Sequence, residues 1–264
     1  MLLDISKAFD KVWHERIIYK LKCNGICGNL LNFFDDYLRN RQQRVVLNVI
    51  ESNWKNIHAG VPQGSVLGPL LFIIYINDLT DNISSDMRLF ADDSSLFTRV
   101  SEIEVTQNKL VKDLRIITTW AHQWKMVFNP NINKQATEIV FSAKRNKTLH
   151  PNLTLNGIPV SRKKFTKHIG MYLDNCLNFN KHIKEAILTA QKGLSLLKYL
   201  SKFVSRNVLN LLYKLYVRPH LDYGDVIYHN QRKDMMKLIE QVQYKAAIIV
   251  SGCWQGTSRV KLYD

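Results

Sequence analysis

The sequence predicts an α+β chain with a helical region at its C-terminal end, and three observations carry this. Short apolar or β-branched segments flank turn signals, as around Asp92-Asp93 and around Asn156-Gly157, the latter pair being the strongest short-range hairpin signal. Longer stretches repeat their apolar residues at about 3.6-residue spacing, and beyond about Phe179 such stretches dominate. Charge is divided unevenly: residues 1–143 carry 16 Lys+Arg against 15 Asp+Glu, and residues 144–264 carry 21 against 7. A boundary near residue 175 therefore separates a mixed body, 1–175, from a basic helical region, 176–264.

Taken in order, Met1-Leu2-Leu3 reads as the end of a strand that terminates in Asp4. Phe9, Val12, Trp13, Ile17, Ile18 and Leu21 follow at helical spacing until Gly25 and Gly28 interrupt it. A helix is predicted over Asn29–Arg39. Arg44–Ile50 is β-branched and extended, Glu51-Ser52-Asn53 turns, and Trp54–His58 returns as a second strand. Gly60-Val61-Pro62-Gln63-Gly64-Ser65 is a Gly/Pro loop opening onto a helix, where Ser65 can cap and Pro69 is tolerated in the first turn. Met87 and Leu89, then Leu96 and Phe97, frame a tight turn tipped by Asp92-Asp93. One long helix covers Glu102–Trp124 and stops at Asn129-Pro130. Strands are predicted at Thr137–Ser142, on both sides of Asn156-Gly157, and at Ile169–Leu173. Three basic helices complete the chain, beginning near Ile183, Val208 and Met235.

Composition narrows the function classes. The net charge of +15, concentrated in the C-terminal region, points to polyphosphate as partner. No strongly amphipathic basic helix with a large aromatic face supports a membrane surface instead, and the longest apolar run, Leu70–Ile76, is too short to span a bilayer. Cys23, Cys27, Cys176 and Cys253 are sparse and unevenly spaced, which argues against a disulfide framework and fits a reducing compartment. The N-terminus carries no secretory leader pattern.

The chemistry lies in three motifs. Two adjacent carboxylates at a turn repel each other, and a hard divalent cation removes that cost; a solvated turn is the plainer reading. A loop with bare backbone N–H groups ahead of a helix suits phosphate or nucleotide, although such junctions are common. Asp4 supplies a further carboxylate at a strand end. Together they suit nucleotidyl transfer, in which two metal ions about 3.5–4 Å apart need carboxylates from at least two strands.

Leu3-Asp4-Ile5-Ser6-Lys7-Ala8-Phe9-Asp10, Gly60-Val61-Pro62-Gln63-Gly64-Ser65-Val66-Leu67-Gly68-Pro69 and Phe90-Ala91-Asp92-Asp93, in that order, resemble the reverse transcriptase domain of non-LTR (LINE-type, Jockey-like) retrotransposons. Weaker similarities follow at Lys125 with Asn129 and Lys134, at His168-Ile169-Gly170 and at Leu221-Asp222-Tyr223-Gly224. The resemblance implies a polymerase right-hand palm over 1–175, an antiparallel sheet backed by helices, followed by a helical thumb over 176–264. It implies an RNA-directed DNA polymerase that adds dNTPs to a DNA primer on an RNA template, using two Mg²⁺ ions for which Mn²⁺ can substitute. Asp4 and Asp92 would share the metals, with Asp93 a less direct catalytic partner. Ile5, Phe9, Gln63, Gly64 and Lys134 would meet the nucleotide, Phe9 as the steric gate against a ribose 2′-hydroxyl. His168, Ile169 and Gly170 would form the primer grip, and Asp10 is read as structural. The resemblance places fingers and an endonuclease region ahead of Asp4, and the expectation is that this chain lacks them. Localisation would be intracellular, nuclear or cytoplasmic. The alternative is a catalytically inactive nucleic-acid-binding remnant of such an element; a small-molecule metal phosphohydrolase leaves Phe9, Gln63 and the basic helices unexplained.

Overall fold

Leu2, Leu3 and Asp4 form the strand β1 (Leu2–Asp4), the middle member of a five-stranded sheet. The structure, a computed structural model, describes residues 1–129, 131, 136–142, 150–228 and 233–263. Two units are distinguished by their internal contacts: Met1–Val140 with Asn146–Lys163, and Phe141–Arg145 with Lys164–Asp264.

In the first unit, β1 leads through a 3-10 turn at Phe9–Lys11 into α1 (His14–Cys23) and α2 (Gly28–Leu38). Four two-residue strands follow: β2 (Gln42–Gln43), β3 (Val46–Leu47), β4 (Ile50–Glu51) and β5 (Lys55–Asn56). After α3 (Leu67–Ile76) come the hairpin strands β6 (Asp86–Phe90) and β7 (Asp93–Phe97), and then α4 (Ile103–Gln123). The unit closes with β8 (Ala136–Glu138), β9 (Thr154–Leu155), β10 (Ile158–Pro159) and β11 (Ser161–Arg162). The sheet runs β11-β8-β1-β7-β6, antiparallel except for the β11–β8 pair.

The alternation of β1 decides the position of the carboxylate. Leu3 and Ile5 are buried and Asp4 between them points to the other face. In α4 the residues Leu110, Leu114, Ile117 and Ala121 are buried, the spacing that keeps one helical stripe against the core. Lys20 also enters this core. Its ammonium donates to Tyr75 O and, at 2.5 Å, to Asp78 Oδ1, and lies 3.7 Å from the Trp124 ring centroid. Burial pushes its pKa down while Asp78 opposes that shift, so the ion pair and ring faces replace the water it gave up.

The segment read as one strand over Arg44–Ile50 is instead broken. Val46 pairs with Glu51 and Leu47 with Ile50, so the chain reverses at Asn48-Val49, not at Glu51-Ser52-Asn53. Asn48, at φ 52°, supplies the left-handed residue that such a turn needs. Only Lys55–Asn56 of the predicted Trp54–His58 strand is paired, with Gln42–Gln43. Thr137–Ser142 likewise shortens to β8. The Asn156-Gly157 hairpin forms as expected, both residues having positive φ.

The second unit starts with the hairpin β12 (Phe165–His168) and β13 (Met171–Asp174), turning at Ile169-Gly170. This hairpin lies N-terminal to the boundary near 175 read from composition. Helices α5 (Asn180–Leu200), α6 (Arg206–Tyr216), α7 (Arg218–Asp222), α8 (Asp225–Tyr228), α9 (Lys233–Ser251) and α10 (Arg259–Tyr263) follow. Its core is built from Ile183, Ile187, Ala190, Leu194 and Leu197 of α5 with Leu209, Val217, Met235, Val242 and Ala246. Among the described residues, no helix is long and apolar enough to cross a membrane.

Candidate active site

Backbone register brings two of the expected carboxylates together. Asp4, the last residue of β1, is the Cα partner of Asp93, the first residue of β7. Directly opposed residues of an antiparallel pair share a face, with Cβ atoms about 4.5–5.5 Å apart. Asp92 occupies the two-residue turn between Phe90 and Asp93 and is exposed. Ala91 before it has φ 50°, which suits the primed turns that match strand twist but strains a residue with a Cβ. Such strain concentrates at functional sites.

Asp4 is anchored from a third element. Asn129 Nδ2 donates to Asp4 Oδ2 at 2.9 Å, and Asn129 N donates to Asp4 O at 2.9 Å. The Ile5–Phe128 bridge and the Ser6 N to Val127 O bond extend that pairing. Ile5 is itself buried, so its side chain packs in the core.

The Gly/Pro loop is stitched to the segment after Asp4. Gly60 N donates to Val12 O and Val61 N to Phe9 O, while Gln63 Nε2 donates to Asp10 Oδ1 at 2.9 Å. Gly60 O accepts from Arg41 Nη2 at 2.6 Å and lies 2.8 Å from His14 Nε2. Gly60 has φ 92°, and a Cβ there would stand 2.9 Å from both Asp10 Cα and Asp10 O, so only glycine fits. Ser65 Oγ accepts from Gly68 N at 3.0 Å, satisfying one amide that the first turn of α3 leaves open. Phe9, half-buried, stacks on Phe72 with centroids 4.5 Å apart. Gln63 and Gly64 are exposed. Burial pushes the His14 pKa below 6.5, with Arg41 and Arg39 acting in the same direction and the Gly60 carbonyl and Asp35 opposing.

His168, Ile169 and Gly170 belong to the second unit. Lys134 lies outside the described residues. His168 ends β12, and Ile169 and Gly170 form the turn to β13, at φ 42° and 76°. Within that same second unit Tyr223 Oη donates to Ile169 O at 2.6 Å. No local pattern in the sequence points from Asp10 to Gln63, and Asn129 reads there only as a helix end and a weak similarity. His14 and Arg41 carry no signal in the sequence, since no local pattern marks residues whose partner is a carbonyl far along the chain.

Asp4 and Asp93 offer hard oxygen donors on one face. Among the described residues no group of three or more His, Cys, Asp or Glu is gathered to hold a metal ion. A donor set of one or two carboxylates fits Mg²⁺, which completes its shell with water and substrate phosphate oxygens.

Comparison with known proteins shows the family of the chain. Residues 1–148 match the family described as "Reverse transcriptase (RNA-dependent DNA polymerase)". The chain is 30% identical over 264 residues to the "Probable RNA-directed DNA polymerase from transposon X-element" of Drosophila melanogaster, covering 96% of this chain and 28% of that protein. It is also 30% identical over 263 residues to the "RNA-directed DNA polymerase from mobile element jockey" of the same species, covering 95% of this chain and 28% of the relative. A shorter match of 84 residues at 31% identity is to the "Retrovirus-related Pol polyprotein from type-1 retrotransposable element R2" of Popillia japonica. The chain thus spans 28% of the length of the mobile-element polymerases it matches throughout. With more than half of its length matched, the chain belongs to the reverse transcriptase (RNA-dependent DNA polymerase) family.

Proposed function

We propose that this chain carries the catalytic part of an RNA-directed DNA polymerase of a non-LTR retrotransposon. It would join dNTPs to a DNA primer 3′-hydroxyl on an RNA template. The observation that carries the reading is the Asp4–Asp93 register, which supports a shared cation site built from carboxylates 89 residues apart in sequence. The first unit is read as a palm and the helices of the second as a thumb.

Bound divalent cations, two Mg²⁺ with Mn²⁺ as substitute, would supply activation of the hydroxyl and charge stabilisation at the departing pyrophosphate. Asp4 with Asp92 would hold them, with Asp93 beside Asp4 as a further oxygen donor. The Phe9 ring, held by Phe72, would exclude a ribose 2′-hydroxyl. Gln63 and Gly64 would line the nucleotide's path, where Ile5, its side chain buried, would contribute backbone only. Lys134 would assist at the pyrophosphate. His168, Ile169 and Gly170 would grip the primer, and the lysines and arginines of the second unit would contact backbone phosphates.

The test is primer extension on an RNA template with dNTPs and Mg²⁺ or Mn²⁺. Wild type extends the primer and Asp92→Asn lowers the rate by at least about 10²-fold. Extension that survives Asp92→Asn removes that residue from the mechanism. Salt-sensitive heteroduplex binding without incorporation by wild type identifies a binding remnant instead.

A further inference from the structure

We infer that Asn129 is a positioning residue for the Asp4 carboxylate, holding one of its oxygens so that the other is presented to a cation. The inference rests on the metal-site reading above and adds a residue to it.

The argument begins with the amide itself. Asn129 Oδ1 accepts from Asn131 N at 3.0 Å. A backbone N–H can only donate, so the oxygen of the amide must face Asn131 and its NH₂ must face away. That NH₂ meets Asp4 Oδ2 at 2.9 Å. The orientation of the amide is therefore decided by one partner and used on the other.

The backbone makes the same connection. Asn129 N donates to Asp4 O at 2.9 Å, and the Ile5–Phe128 bridge pairs the neighbouring residues. Side chain and main chain of Asn129 thus both reach Asp4, and neither can drift without the other. A carboxylate opposite Asp93 across the ladder would otherwise turn away from that second negative charge. Hydrogen bonding to Oδ2 opposes the rotation and disperses charge on the oxygen that is not offered. Partners that orient metal-binding carboxylates in this way are worth about 10–100-fold in affinity.

Sequence alone places Asn129 just before Pro130, where it reads as a helix stop. The helix ends at Gln123, within one residue of the predicted Trp124, and Lys125 at φ 54° redirects the chain so that Phe128 and Asn129 run beside β1.

Mn²⁺ alone, titrated into the 264-residue chain and followed by the EPR signal of free Mn²⁺, tests this without any catalytic turnover. Wild type binds, Asp4→Asn abolishes binding, and Asn129→Ala weakens it by about 10–100-fold with an unchanged far-UV CD spectrum. A structural role alone would lower the melting temperature and leave the Mn²⁺ affinity of the folded protein unchanged. That result, with Asp4→Asn still abolishing binding, overturns the inference and leaves the metal-site reading standing. If Asp4→Asn binds Mn²⁺ as wild type does, the metal-site reading itself fails. Should Asn129→Ala not fold, Asn129→Leu keeps the volume while removing the donor and is read in the same way.

Discussion

Gly60→Ala probes how the loop before α3 is coupled to the strand end that carries Asp4. Its cost can be worked from the structure. At φ 92° an alanine is strained by about 1–2 kcal/mol. Its Cβ would also lie 2.9 Å from Asp10 Cα and Asp10 O and 3.0 Å from Asp10 C. All three are backbone atoms, so no side chain can swing aside, and relieving the clash adds about 1–3 kcal/mol. The stiffer unfolded chain returns about 0.4–1 kcal/mol. The net is about 3 kcal/mol, or about 6–12 °C in melting temperature for a unit of this size. Gly64 provides the control: it has φ 85° with nothing within 4 Å of a Cβ, so Gly64→Ala costs only the strain, about 1 kcal/mol and about 2–4 °C. Thermal denaturation of both variants by circular dichroism measures the difference. If the two variants melt within about 2 °C of each other, the close approach to Asp10 is not what Gly60 is for, and the coupling argument is wrong.

Two further outcomes follow from the same site. Phe9→Val removes the ring stacked on Phe72 and is expected to raise the rNTP-to-dNTP ratio of kcat/KM by about 10–100-fold in single-nucleotide extension; an unchanged ratio refutes the gate assignment. His14 is held below its ordinary pKa of 6.5 mainly by burial, so the unfolded chain takes up its proton first on acidification. Stability from this group is intact above pH 6.5 and is lost as pH falls from there through the lower folded value. His14→Gln keeps a donor for Gly60 O without titrating, and it should flatten the fall in melting temperature between pH 7.5 and 5.5; an identical fall in both proteins removes His14 as its source.

What could be read before the fold was known depended on range. Asp4 and Asp92-Asp93 stand out because acidic residues interrupt apolar segments within a few positions. The Asn156-Gly157 hairpin and the α4 and α5 helices were legible for the same reason, since turn chemistry and 3.6-residue spacing are local properties. The Arg44–Ile50 reading failed because a β-branched run looks the same whether it continues or folds back. Asn48 tolerates the left-handed conformation that turns the chain there.

By itself, the sequence determined the carboxylate motifs, the glycine-rich loop and the family to which they belong. It also determined the uneven charge of the chain, with 21 Lys+Arg against 7 Asp+Glu after residue 143. Tertiary structure alone decided the partners: Asp93 opposite Asp4, Asn129 on the Asp4 carboxylate, Gln63 on Asp10, and His14 with Arg41 on the Gly60 carbonyl. The reason is physical. Each of these contacts joins residues 19 to 125 positions apart, and such pairings are set by strand register and by the burial of the whole core, which no short window of sequence contains.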